Sequence, residues 1–268
     1  MNKESLLKSY LKYGISEKDV CKSRIGINGD EVDEVAVIAP LHKANGYLNC
    51  GAKVTQLSFG YYPAYRIEKD GVSFTFITTQ IGSCNVAEIV VALGFSNCKK
   101  IIFTGSVGGL KPEYKVGDIL IPNFSISGDG VCRFFQEENV SECDDFGKRY
   151  FPDTTLQNKL VDYMNCQKLT NYKMANIFSI DTIVAQFMHI DELLNLGSDV
   201  VEMETACVFK VSKIVGLDAV AIFNVSDNTV SKKSLLAGRS KEELEKHVYT
   251  EEVLVPKLTF GFIKSLVK

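Results

Sequence analysis

The chain has 268 residues, 46% apolar and 24% charged, with a formal net charge of −3; this is enough to bury a sizeable core and lacks the basic footprint of a nucleic-acid binder. No apolar run reaches the length of a membrane span, and the first five residues (MNKES) lack the apolar core of a signal peptide, so no membrane partner and a cytoplasmic location are expected. Three histidines far apart in sequence and eight cysteines without a CxxC pair indicate neither a metal site nor a disulfide scaffold.

In chain order, residues 5–12 (SLLKSYLK) have helical spacing, and the polar stretch after them makes 1–30 an N-terminal helical extension lying on the surface. From residue 31 onward short apolar runs alternate with helical patterns. The runs at 35–38 (VAVI), 74–79 (FTFITT), 100–104 (KIIFT), 119–122 (ILIP), 174–180 (MANIFSI) and 218–225 (DAVAIFNV) read as strands. Residues 85–93, 155–166, 190–196, 204–215 and 251–268 read as helices. Continuous apolar strands alternating with helices predict one α/β domain over 31–268, with a mostly parallel or mixed sheet covered on both faces.

In such sheets ligands gather beyond the carboxyl ends of the strands. There the sequence sets Gly105-Ser106-Val107-Gly108-Gly109 after KIIFT, Ser226-Asp227-Asn228 after DAVAIFNV, Gln80-Ile81-Gly82-Ser83 after FTFITT, and Ala39-Pro40-Leu41-His42-Lys43 after VAVI. VVEMETACVF, from Val200 to Phe209, adds Glu202 and Glu204 around Met203 in an otherwise apolar segment ahead of a helix, whose N-terminus favours a negative charge. Each feature has an ordinary structural alternative: a tight turn, an aspartate that caps a helix, a pair of ion-paired glutamates. In combination the glutamates suit a sugar diol, the glycine-rich turn suits an anion or a nucleophile, and the aspartate suits proton donation.

FTGSVGGL followed by KVGDILIP, then VEMETA, then FNVSDN, in that family's order, strongly resemble the nucleoside phosphorylase/nucleosidase superfamily. Purine nucleoside phosphorylases, uridine phosphorylases and methylthioadenosine/adenosylhomocysteine nucleosidases belong to it. The resemblance runs from about residue 35 to the C-terminus. It implies a three-layer α/β sandwich around a central mixed, partly barrel-like sheet, assembled as a homodimer or a trimer of dimers. It also implies a small-molecule nucleoside substrate, no cofactor, and cleavage of an N-glycosidic bond through an oxocarbenium-like transition state. Carried over, Met203 and Glu204 hold the ribose, Glu204 accepting from the 2′- and 3′-hydroxyls, with Glu202 near the sugar or base. Asp227 protonates or hydrogen-bonds purine N7 so that the base leaves neutral, and Ser226 orients it. Ile183, in SIDTI, stands where the family has a stacking aromatic, so aliphatic contact replaces stacking.

The departures bear on the nucleophile. Family phosphorylases carry Gly-Asp-Pro-x-Arg after the first strand, where this chain has Ala39-Pro40-Leu41-His42-Lys43. Lys43 stands in for the arginine, as a point charge rather than a bidentate fork. Thr104-Gly105-Ser106-x-Gly108-Gly109 is closer to the nucleosidases, yet no acid near Ala44 matches their water-activating glutamate. A rebuilt anion site is expected from Lys43, Arg133 (in SISGDGVCRFF, 125–135), Ser106 and the backbone amides near Gly105 and Gly82. Tyr61, Tyr62 and Tyr65 are expected to cap the pocket or reach a neighbouring subunit, and His189 to begin a helix at the surface. Phosphorolysis, with inorganic phosphate as co-substrate and (deoxy)ribose-1-phosphate as product, is the first expectation. Hydrolysis to free ribose is the alternative, and a nucleoside-binding relative without turnover the second.

Overall fold

The computed structural model describes residues 1–137, 139–236 and 238–267. In chain order the elements are α1 (Lys3–Lys12), α2 (Glu17–Ile25), β1 (Val35–Pro40), β2 (Lys53–Gln56), β3 (Ala64–Lys69), β4 (Val72–Thr79), α3 (Ser83–Gly94), β5 (Lys100–Gly109) and β6 (Ile119–Gly128). There follow β7 (Arg149–Tyr150), α4 (Thr154–Cys166), β8 (Tyr172–Ile180), α5 (Ile190–Asn195), β9 (Val200–Glu202), α6 (Thr205–Val215), β10 (Asp218–Asn228), α7 (Lys241–Tyr249) and α8 (Val255–Leu266). A π-helical turn, Thr250–Leu254, joins the last two helices.

The sheet is mixed, in the order β10-β6-β8-β9-β5-β1-β4-β3-β2, and β10 pairs with β5 as well. That extra pairing closes β10, β6, β8, β9 and β5 into a five-stranded barrel, from which β1, β4, β3 and β2 extend. β1 pairs in parallel with β4 and β5, and β5 in parallel with β10. All six residues of β1 are buried, as an unbroken apolar strand in the middle of a covered sheet must be. One apolar cluster packs α2, α3 and α6 on one side of the sheet, and a second packs α4 and α8 on the other. α3 and α6 approach closely because Gly94 has no side chain: a Cβ there would lie 2.5 Å from Val215 Cβ. Ahead of the sheet, α2 opens on a Ser16/Asp19 capping box and stops at Gly26, at φ +80°. Its Val20, Cys21 and Ile25 are buried against the core.

Three strands, β5, β6 and β10, run farthest beyond their apolar runs. Gly105–Gly109 is not a turn but the second half of β5, in register with Phe223 to Asn228 of β10. The glycines serve side chains on the neighbouring strand: a Cβ on Gly105 would meet the Phe223 ring at 3.4 Å, and one on Gly109 would meet Asn228 Nδ2 at 2.6 Å. Ser226, Asp227 and Asn228 likewise lie inside β10, where the register shifts between Val225 and Asp227. β6 runs to Gly128, so the first residues of SISGDGVCRFF are strand, and Cys132–Phe134 form a 3-10 turn. β2, β3 and β9 carry no clear sequence period. β9 is three residues long, and β3 alternates irregularly between buried and half-buried positions.

Candidate functional site

The strand ends and the N-terminus of α6 enclose a cavity of about 330 Å³, lined by Gly105, Ser106, Met203, Glu204, Ser226 and Asp227 among others. That is the lower end of the range for small-molecule sites. A larger depression of about 1150 Å³, bordered by Lys148, Phe151 and Lys213, holds none of these carboxylates, and the convergence of titratable groups marks the smaller cavity as the site.

The two glutamates have different surroundings. Glu202 ends β9 and is saturated by protein donors: Ser179 Oγ at 2.5 Å, Glu204 N–H at 2.8 Å and Thr205 N–H at 2.8 Å. Two of these are free amides at the start of α6, so the carboxylate neutralises the positive end of the helix. Glu204 precedes the helix and accepts from Gly82 N–H at 2.5 Å and Met203 N–H at 3.2 Å. Burial and then the neighbouring charge of Glu202 push its pKa from 4.5 up to about 8. Glu204 is thus the member of the pair with capacity left for a ligand. Gly82, at φ +101°, turns its amide toward that carboxylate, a backbone conformation that favours glycine. Ser83 Oγ donates to the Met203 carbonyl at 2.8 Å and ties α3 to the same segment.

Asp227 is buried, accepts from Ser226 Oγ at 2.7 Å and Leu235 N–H at 3.2 Å, and has its pKa raised by burial. Arg239 donates to the Ser226 carbonyl at 2.9 Å. A buried aspartate whose pKa is raised in a cavity is suited to general acid work. Ile183 lines the cavity with Ile180, Val201 and Phe223, an apolar wall.

Other expected residues lie elsewhere. Lys43 is exposed and borders an adjoining depression, separated from the cavity by His42 and Glu251, which border both. Arg133 sits half-buried in its 3-10 turn and is not among the residues lining the cavity. Tyr61 is exposed, Tyr62 is buried with its hydroxyl on Asn85 Oδ1 at 3.0 Å, and Tyr65 packs on Phe76; none of the three lines the cavity. His189 is exposed at the start of α5.

Sequence reasoning missed His42, Asn224, His247 and Glu251. His42 and His247 lie 205 positions apart by residue number yet flank the same carboxylate: His247 Nε2 is 3.1 Å from Glu251 Oε2, and His42 Nε2 is 3.8 Å from Glu251 Oε1. The one local signal was the i, i+4 spacing of His247 and Glu251. Folding also gathers Asp129, Cys132 and Cys207, whose ligand atoms lie within 4.8 Å of one another. Asp129 accepts there from Ser127 Oγ, from the amides of Val131 and Cys132, and from the Cys132 thiol. Hydrogen bonding to Cys132 and burial hold the Cys207 thiol well above its ordinary range.

A sequence model described as "Phosphorylase superfamily" matches residues 27–258. A DeoD-type purine nucleoside phosphorylase of Tolumonas auensis is 29% identical over 191 residues, 69% of this chain and 75% of that protein. Among solved structures, uridine phosphorylase of Vibrio fischeri superposes with a TM-score of 0.71 at 15% identity, covering 88% of this chain and 92% of that one. The 5′-methylthioadenosine/S-adenosylhomocysteine nucleosidase of Neisseria meningitidis superposes with a TM-score of 0.67 at 22% identity, covering 86% of this chain and 98% of that one. These superpositions agree with the mixed α/β sheet and its helical layers.

Proposed function

The chain belongs to the phosphorylase superfamily, and from that premise we propose that it cleaves the N-glycosidic bond of a nucleoside. The observation that carries the reading is that one small cavity contains two buried carboxyl groups prepared for different work. Asp227 has its pKa raised by burial, which favours its protonated form. Glu204 has two backbone donors and is otherwise open to the cavity. A sugar diol donates two hydrogen bonds, which favour the ionised form of Glu204. As the C1′–N bond lengthens, positive charge grows on the ribose and negative charge on the base. The Glu204 carboxylate then stabilises the first, and the Asp227 proton neutralises the second. Met203 closes on the sugar beside Glu204, and Ser226 holds the Asp227 carboxyl through its 2.7 Å hydrogen bond.

A purine suits Asp227 best, because N7 is a ring nitrogen that takes a proton as the base departs. The kinship with DeoD-type purine nucleoside phosphorylases supports the same substrate class. Ile180, Ile183 and Phe223 give the base an apolar wall. Assembly as a homodimer or a trimer of dimers, in the cytoplasm, goes with this reading, and no described helix is long and apolar enough to cross a membrane.

The test is release of free base from a panel of purine and pyrimidine nucleosides, with and without inorganic phosphate. Wild-type protein should release base from at least one purine nucleoside, and Asp227→Asn should bind it without releasing base. Failure to cleave any nucleoside in either buffer would remove the reading.

A further inference from the structure

Neither proton donation to the base nor sugar binding uses the polar chain formed by Ser106, Asn224, His247, Glu251 and His42. Ser106 Oγ donates to Asn224 Oδ1 at 3.1 Å, Asn224 Nδ2 meets His247 Nδ1 at 2.8 Å, and His247 Nε2 meets Glu251 Oε2 at 3.1 Å. His42 Nε2 then stands 3.5 Å from Ser106 Oγ and 3.8 Å from Glu251 Oε1. Those separations are long for direct hydrogen bonds, and the two acceptors His42 Nε2 and Glu251 Oε1 suit one water that donates a proton to each. Glu251 reaches both histidines from the π-helical turn, an element often found at functional positions.

The charge of the site selects between nucleophiles. Among the described residues lining the cavity there is no lysine or arginine, whereas Glu202, Glu204, Asp227 and Glu251 all line it. A phosphate dianion would enter beside the charged Glu251 carboxylate with no fixed cation among the described wall residues, and a water meets no such opposition. Arg239, whose charge bears on Asp227 and Glu251, is bonded to the Ser226 carbonyl and does not line the cavity.

We infer that His42 is the general base of a hydrolytic cleavage, taking one proton from a water whose other proton is held by Glu251. The inference rests on glycosidic cleavage being the reaction. The water oxygen bonds to C1′ as its proton passes to His42 Nε2. The C1′–N bond breaks with its electron pair moving to the base, and the base takes the proton of Asp227. Free base and free ribose result, and both side chains reset by exchange with solvent. Burial lowers the pKa of His42, so its ring is unprotonated at neutral pH and able to accept. Glu251, held low chiefly by its hydrogen bond to His247, stays charged and stabilises the imidazolium that forms. It is a positioning residue. The charged and titratable groups facing His42 are Glu251 and His247, with Arg239 acting on Glu251.

The full chain is incubated with the purine nucleoside it cleaves, in phosphate-free buffer and in inorganic phosphate, and the sugar product is identified. Free ribose at equal rates in both is the expected result. Ribose-1-phosphate formed only with phosphate overturns hydrolysis and leaves nucleoside cleavage standing, whereas no cleavage in either buffer overturns both. His42→Gln should lower kcat by about 10²- to 10⁴-fold with KM nearly unchanged. A folded His42→Gln protein with full activity overturns the assignment. Glu251→Gln supplies a second readout: it should move the acidic limb of the kcat/KM profile to lower pH, since the imidazolium loses its counter-charge, and Glu251→Asp should move it back. An unmoved limb would assign Glu251 a structural role only and sink the couple.

Discussion

Two parts of the cavity wall are built in different ways. One takes Glu202, Met203 and Glu204 from a single tripeptide and Ser226 with Asp227 from another, so that each functional group arrives with its neighbours already in place. The other takes His42 from the segment after β1, Ser106 from β5, Asn224 from β10, His247 from α7 and Glu251 from the π-helical turn. It exists because β1 lies beside β5 and β5 beside β10, where Ser106 and Asn224 are register partners. The first part is a string that can be recognised by eye, and the second is a product of strand order. A cavity wall assembled from distant segments can change its chemistry without disturbing any motif.

The largest effect that would sharpen this contrast is at Asp227. Asp227→Asn keeps the hydrogen-bonding shape but has no proton to give, so base release should slow by about 10²- to 10⁴-fold with an unchanged thermal midpoint. A midpoint that fell along with the rate would mean that this tripeptide is structural, and the contrast would fail there.

The glutamates come next. Glu204→Gln should weaken nucleoside binding by about 1.5–3 kcal/mol, the worth of hydrogen bonds to a charged acceptor, while holding or raising stability. Glu202→Gln should do the reverse, lowering stability by about 1–3 kcal/mol because one amide oxygen cannot serve three donors. Calorimetric titration and denaturant midpoints on both variants would separate the roles, and equal effects on binding would merge them.

The pH dependence follows from Glu204. Its folded pKa is about 8 against an ordinary 4.5. Between those values the folded protein binds the extra proton, so this group makes stability fall as pH rises, and its effect levels off above about 8. A diol requires the ionised form, so nucleoside affinity should rise on the order of tenfold per pH unit below about 8 and then become flat. Glu204→Gln should abolish both slopes; a pH-independent dissociation constant in the wild type would count against the diol assignment.

Smaller effects bound the picture. Gly94→Ala forces a methyl against Val215 and should cost about 1–3 kcal/mol of stability without altering KM. Lys43→Ala, outside the cavity, should change kcat/KM by less than about twofold whatever the phosphate concentration. A large phosphate-dependent loss in that variant would restore the sequence-based expectation for Lys43.

Much of the architecture was legible because it follows from short-range periodicity. Buried strands such as VAVI and DAVAIFNV are continuous apolar runs, and α3, α4 and α6 announce themselves by helical spacing. The convergence of Glu204 and Asp227 on one site was legible too, since a carboxylate inside an apolar segment is costly enough to need a reason. The ends of β5, β6 and β10 were not, because glycine and serine usually mark turns, whereas here they are strand positions where a neighbouring side chain needs the room. Nor does the tripeptide around Met203 tell its two glutamates apart. Only the fold sets Ser179 and the amides of α6 on Glu202 and leaves Glu204 facing the cavity.

By itself, then, the sequence determined the long buried strands, the main helices and the motifs that carry Glu202, Glu204 and Asp227, since those depend on neighbours in the chain. Tertiary structure decided which polar groups share the cavity wall with Ser106. It moved Lys43 and Arg133 out of the cavity wall and brought two histidines onto one glutamate, because distance in space across a sheet is set by strand order and register, and no local pattern encodes them.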